Sequence, residues 1–338
     1  MPAPRPIAVT MGEPAGIGGE IALKAWRARR ADTPVFFMID SEARLTAVAR
    51  VLGLDVPVQA IAAPEQAAKA FATALPVLEI PETRDMTASL GRLDTANAKA
   101  VIASIDKAVE LVKNGTAAAM VTNPIQKASL QRAGFKFPGH TEYLGHLAGG
   151  ARTVMMLTVE RAKPPLRVVP VTVHEPLRAV AAKLSTESIV YCARVTAVAL
   201  TADFGIARPR LAVAGLNPHA GEDGKIGDEE IRVIAPAVAA LKAAGLDVSG
   251  PAPADTLFHA AARAGYDAVI CMYHDQALVP LKTIDFAGGV NVTLGLPFVR
   301  TSPDHGTALD IAARGVADAT SFTAALELAA RLAARRGA

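Results

Sequence analysis

The sequence predicts an α/β protein built on parallel strands. Two observations carry this: short β-branched runs alternate with alanine-rich amphipathic stretches from end to end, and 51% of the 338 residues are hydrophobic, enough for a large core. A chain of this length suits two domains of ordinary size or one large one.

In chain order, the runs that read as strands are IAVT (7–10), VFFMI (35–39), AAAMVT (117–122), VMMLTV (154–159), LRVVPVTV (166–173), RLAVAGL (210–216) and AVICMY (268–273). Helices are predicted between them. Over 95–113, Ala98, Val101, Ile105, Ala108, Val109 and Val112 recur at helical spacing, and Asn114-Gly115 supplies the stop. A second helix is predicted from Asp228, a good N-cap, to Gly245, with Pro236 kinking or splitting it. No internal repeat or low-complexity linker interrupts the pattern. The Pro/Gly-rich segments 76–91 and 285–300 are the expected places for the chain to change domains.

Composition excludes several classes. Thirty-five basic against 32 acidic residues give a formal charge of +3 without a basic block, so nothing favours nucleic acid or an anionic membrane. Cys192 and Cys271 cannot make a disulfide framework, which points to a reducing cytoplasm. The opening MPAPRPIAVTMGEPAG lacks the features of a signal peptide, and no run reaches the ~20 apolar residues of a membrane span. A soluble cytoplasmic chain is expected.

Three of the seven histidines share one structural position. LRVVPVTV ends in His174, RLAVAGL is followed by Asn217, Pro218 and His219, and AVICMY ends in His274. Ligands gather beyond the carboxyl ends of strands in open parallel sheets, so three imidazoles presented there can converge. Three nitrogen ligands suit a zinc, cobalt, nickel or iron centre with positions left open for substrate. The competing reading is that each histidine caps a strand end or bonds within a loop. Asp275, next to His274, orients a ligand, serves as a fourth one, or is a turn residue.

Between 282 and 307 polar groups stand among apolar ones: Lys282, Asn291, Thr293, Arg300, Thr301, Ser302, Asp304, His305 and Thr307. Lysine and arginine on short strand-loop connections suit a phosphate or carboxylate, although a solvated lysine is the commoner fate. The apolar setting of Arg300 in NVTLGLPFVRTS makes it harder to dismiss. His140 and Thr141 in GHTEYL are plausible anion donors, a weak signal by themselves. IAVT leads into MGEPAGIGGE and a helix, which tempts a dinucleotide-fingerprint reading with Asp40 as the ribose acid. That reading fails: the first glycine does not follow the strand directly, and Ile21 stands where the last glycine belongs. Turn geometry and close packing explain Gly16, Gly18 and Gly19 about as well.

With these residues collected, the sequence resembles the 4-hydroxythreonine-4-phosphate dehydrogenase family of pyridoxine biosynthesis. The resemblance covers nearly the whole chain through TMGEPAGIGGEI, PGHTEYL, GLNPHAGEDGKIGDEE, GPAPADTLF, MYHDQALVPLK and VNVTLGLPFVRTSPDHGTALDIA. It implies metal ligands at His174, His219 and His274, and substrate contacts at His140, Thr141, Lys282, Asn291 and Arg300. It also implies a homodimer with the active site shared between subunits, one ligand coming from the partner chain. The fold implied is that of the isocitrate and isopropylmalate dehydrogenases, with parallel and mixed sheets and no ordinary Rossmann fingerprint. Residues 1–125 with 288–338 would form a terminal α/β domain, and 126–287 a central one with the metal ligands and dimer interface. DHGTALDIA resembles the adenosine-binding loop of those relatives, which makes Asp304, His305 and Gly306 cofactor-side candidates for NAD or NADP. Departures are few: Asn123 stands where the family often has a small residue, Gln126 where asparagine or histidine is common, and Gly19 where proline is usual.

The reaction implied is oxidation of 4-phosphooxy-L-threonine to a 2-amino-3-oxo acid that decarboxylates to 3-amino-2-oxopropyl phosphate. It would use NAD or NADP and one divalent ion, zinc, magnesium, cobalt or nickel. Asp255 and Asp275 are the candidates for the proton acceptor. Two other readings stand beside it: a paralogous dehydrogenase of D-threonate or D-erythronate 4-phosphate, and an NAD-independent phosphate acyltransferase of related fold.

Overall fold

The computed structural model describes residues 5–84 and 86–337. Its twelve strands are β1 (Ile7–Thr10), β2 (Phe36–Ile39), β3 (Val58–Ile61), β4 (Leu75–Leu78), β5 (Ala119–Thr122), β6 (Val154–Val159), β7 (Leu166–Thr172), β8 (Arg210–Ala214), β9 (Asp247–Ala252), β10 (Ala268–Tyr273), β11 (Val290–Leu294) and β12 (Arg300–Pro303). The protein is mixed α/β and divides into two compact units, Met1–Thr153 with Leu296–Ala338, and Val154–Gly295. The expected boundaries lay at 125/126 and 287/288. The Pro/Gly-rich 76–91 lies within the first unit and contributes most of β4, whereas 285–300 does hold the second crossing.

In the first unit the strands run β3-β4-β2-β1-β5-β12, every neighbour parallel. Parallel sheets are covered on both faces, so their strands are continuous apolar runs, and β1, β2, β4 and β5 are buried at every residue. The helix Ala98–Lys113, preceded by a 3-10 turn at Thr95–Asn97, lays Val101, Ile105, Ala108 and Val109 into the core. Ser104 fixes its height: its hydroxyl donates to the Ile39 carbonyl at 2.8 Å and accepts from the Met11 amide at 3.0 Å. Gly115, at φ +77°, ends the helix where the sequence places its stop.

The second unit runs β11-β6-β7-β10-β8-β9, with β11–β6 and β6–β7 antiparallel and the rest parallel. Chain length explains the reversal. Residues 160–165 are too few for the crossover of about a dozen residues that a parallel pair needs. The helix foreseen over 228–245 is not split: it runs unbroken over 229–243, and a widened π-helical turn, Glu230–Ile234, leads directly into the α-helix Ala235–Ala243, with Pro236 in its first turn. Asp228 does not cap it through its side chain but pairs with Arg232 at 2.7 Å. Strands β3, β4, β9, β11 and β12 escaped the sequence reading; VQAI, LPVL, DVSGPA, VNVTL and RTSP are short and interrupted by polar residues or proline. No helix of the described residues is long and apolar enough to cross a membrane.

Candidate functional site

Register brings two of the three strand-end histidines together. β7 and β10 are parallel neighbours with Thr172 opposite Tyr273, so the residues just beyond them emerge side by side. The rings of His174 and His274 lie 5.8 Å apart between centroids, inclined by 38°. His174 reaches this place with a left-handed backbone, φ +58°, a conformation that costs a residue with a Cβ about 1 kcal/mol. His274 opens the helix His274–Ile284, and its Nδ1 lies 2.7 Å from a carboxylate oxygen of Asp275. A carboxylate on one ring nitrogen fixes the tautomer and turns the other nitrogen outward as a donor atom. Two imidazoles held this way fit a borderline divalent ion and leave positions for further ligands.

His219 does not join them. It stands five residues beyond the end of β8 on the turn Pro218–Gly224, with its side chain 71% exposed and Nδ1 3.8 Å from Glu222. Among the described residues, no three His, Cys, Asp or Glu side chains form a group able to hold a metal. The expected ligand triad is therefore incomplete within one chain.

Asp255 and Asp275 line a cavity of about 470 Å³ in the second unit, with Phe258, Tyr273, Gln276 and Pro280 among its walls. Asp255 sits exposed on the 3-10 turn Ala254–Thr256, whereas Asp275 is bonded to His274. Lys282 occupies the last turn of the helix His274–Ile284, its ammonium 5.1 Å above the Phe286 ring. Asn291 lies on β11 opposite Leu157, and its buried Oδ1 has no hydrogen-bond partner.

A cationic corner forms in the first unit. Arg300 opens β12, which runs parallel to β5, and it is 3% exposed. Its guanidinium donates to the Thr122 hydroxyl from Nε at 3.1 Å and from a terminal nitrogen at 2.5 Å. Burial pushes the guanidinium down to about 10, still a cation at neutral pH. His140, first residue of the helix His140–Leu147, has a buried Nε2 without a hydrogen-bond partner among the described residues. Burial, and then the positive charges of Arg300 and Lys127, hold its imidazole neutral, well below the ordinary 6.5. Two cations around a neutral imidazole and a helix N-terminus make a place for an anion. Thr141 follows as the second helical residue, half-buried.

Lys127 was not singled out in the sequence. A Cβ on Gly139 would lie 3.1 Å from Lys127 Cε and 3.4 Å from its Nζ, so the glycine makes room for this lysine beside His140. Its only signal was position, directly after β5 in VTNPIQK.

The glycine-rich N-terminal loop does packing work. A Cβ on Gly16 would meet the Thr307 carbonyl at 2.7 Å, the Ile17 amide donates to that carbonyl at 3.1 Å, and Gly18 abuts Asn123 and the Met11 carbonyl. Asp40 is fully buried and paired with Arg44, which also donates to the Pro14 carbonyl at 3.1 Å. Asp40 is thus a brace, in keeping with the rejected fingerprint. The Asp304 amide donates to the Ser321 hydroxyl at 2.9 Å, and His305 Nδ1 lies 3.1 Å from the Gly306 carbonyl. Gly306 is exposed, and a Cβ there would meet nothing within 4 Å. Glu13, also passed over in the sequence, is a buried acid whose carboxyl is raised by desolvation.

A family model described as pyridoxal phosphate biosynthetic protein PdxA matches residues 31–329. The chain is 54% identical over 339 residues to a 4-hydroxythreonine-4-phosphate dehydrogenase of Caulobacter vibrioides, covering 98% of this chain and 99% of that one. It is 50% identical over 343 residues to the protein of the same name from Bradyrhizobium diazoefficiens, covering 99% of both. Among solved structures, 4-hydroxythreonine-4-phosphate dehydrogenase from Klebsiella pneumoniae superposes with a TM-score of 0.87 at 39% identity, over 97% of this chain and 99% of that one.

Proposed function

The chain belongs to the family of pyridoxal phosphate biosynthetic protein PdxA, and from that membership we propose that it oxidises 4-phosphooxy-L-threonine. The oxidation uses NAD or NADP and a divalent ion, and its 2-amino-3-oxo acid product decarboxylates to 3-amino-2-oxopropyl phosphate. The observation that carries this reading is the pair of imidazoles at the register-matched ends of β7 and β10, on a chain matched over nearly its full length by dehydrogenases of that name.

His174, His219 and His274 are the residues to hold the ion, as a homodimer in which His219 and His274 of one centre come from different subunits. The incompleteness of the triad within one chain supports that division. When bound, the ion supplies Lewis acidity toward the substrate hydroxyl and the nicotinamide supplies the redox change. The protein's own groups do the rest. Asp275 orients His274. Arg300, Lys282, Asn291, His140 and Thr141 are the residues to hold phosphate and carboxylate. A neutral His140 acts there by hydrogen bonding and adds no third charge. Asp255, exposed on the cavity wall, is the better placed of the two acids to accept a proton, because Asp275 is engaged with His274. Asp304, His305 and Gly306 face the dinucleotide.

The test is reduced-nicotinamide formation from 4-phosphooxy-L-threonine, set against D-threonate and D-erythronate 4-phosphates. Preference for the amino substrate supports the reading, and preference for either threonate-type substrate replaces it with the paralogous activity. Absence of nicotinamide binding in a titration revives the acyltransferase alternative. His274→Ala should abolish metal-dependent turnover and leave a folded protein. Near wild-type activity of that variant in chelated buffer removes the metal assignment.

A further inference from the structure

Residues 219–223 form one turn of left-handed helix. His219, Ala220, Gly221, Glu222 and Asp223 have φ of 53°, 52°, 81°, 47° and 55°. Only the glycine adopts this conformation without steric cost, so four adjacent side-chain-bearing residues must be held there by something else. The turn is also largely open to solvent; of its residues only Gly221 is buried.

What lies against it is Glu230, 4% exposed although it is a carboxylate. One of its oxygens accepts from the backbone amides of Leu216 and Asn217, both at 2.7 Å, and the other accepts from the Asn217 side-chain amide at 2.9 Å. That same Asn217 nitrogen donates to Glu229 at 2.7 Å. The chain closes on this carboxylate from both sides. A Cβ on Gly221 would lie 2.6 Å from one oxygen, and a Cβ on Gly215 would lie 3.2 Å from the other. Gly227 is equally constrained, since a Cβ there would lie 2.4 Å from the Asn217 amide nitrogen. Glu230 itself begins the π-helical turn Glu230–Ile234, a widened turn of the kind that recurs near functional sites.

We propose that Glu230 is the positioning residue that holds the left-handed turn 219–223 and so fixes where His219 is presented. It touches no substrate and no reacting atom. Its part in metal binding rests on the reading of His219 as a ligand, while its hold on the turn does not. A buried carboxylate with three N–H donors gathers the two residues before Pro218 onto the start of the next helix, and the strained turn is the loop so closed.

The experiment compares full-length wild type with Glu230→Gln, Glu230→Asp and His219→Ala. Hydrogen exchange of the amides at 216–224 is read in metal-free protein, and Co(II) is titrated by its visible absorption. Glu230→Gln keeps the volume but turns an acceptor into an amide, and should speed exchange at 216–224 and weaken Co(II) binding about tenfold or more. Glu230→Asp should do both to a smaller degree, and it carries the test should the glutamine variant not fold. His219→Ala should lose Co(II) affinity and keep wild-type exchange. Unchanged exchange at 216–224 in the Glu230 variants overturns the proposal, as does faster exchange with unaltered Co(II) affinity while His219→Ala has lost it. Wild-type Co(II) binding by His219→Ala overturns the ligand assignment instead, and exchange alone then decides whether Glu230 anchors the turn.

Discussion

Arg300 and His140 show how neighbours decide what a residue can do. An arginine in an apolar strand must find partners, and the Thr122 hydroxyl takes two of its donors. His140 answers the same corner by staying neutral. Its folded value lies below the unfolded one, so the stability it contributes is present above about 6.5 and is lost as pH falls below that. His140→Gln should flatten the loss of thermal stability between pH 7 and pH 5; a melting-temperature series across that window checks it. Arg300→Ala should raise KM far more for a phosphorylated substrate than for its dephosphorylated counterpart, and an equal effect on both would remove the anion role. Much of this corner was legible in the sequence, because an arginine inside NVTLGLPFVRTS cannot be a casual surface charge. Lys127 was not legible, since a lysine after a strand is ordinarily solvated and only the missing Cβ of Gly139 gives it away.

At the scale of elements, register and crowding do the work. His174 and His274 meet because Thr172 and Tyr273 are paired across parallel strands; the strand-end pattern allowed such a convergence, but the sequence could not show which strands are neighbours. His219 stands five residues past the end of β8 and opens a left-handed turn, 219–223, that no hydrophobic period signals, so its place could not be read. Glu230 was hidden for the same reason: its partners, at 216 and 217, lie across a turn whose shape is set by backbone angles. A disturbance of the helix at Pro236 was legible because proline has no amide to donate, but its form, a widened turn rather than a break, was not. Strands of mixed polarity, such as β9 and β12, were not, because sheet neighbours rather than local propensity determine them. The close seat of Gly16 against Thr307 leads to a stability prediction. Gly16→Ala would place a methyl 2.7 Å from the Thr307 carbonyl and should cost about 1–3 kcal/mol, measurable by urea denaturation. An unchanged midpoint would mean that the loop relaxes freely.

For the whole molecule, the α/β class was legible from alternation, while length left one large domain or two open; the antiparallel β6–β7 pair has its physical reason in a connection too short to cross over. In the proposed metal centre, His219 and His274 serve one site from two subunits. Subunit complementation tests it most directly. His219→Ala and His274→Ala, each inactive alone, are mixed by co-expression, and substrate-dependent reduction of the nicotinamide is measured. Random pairing places one intact site in half of the dimers, so activity should return to about a quarter of wild type. Mixtures as inactive as their parents would contradict a centre shared in this way.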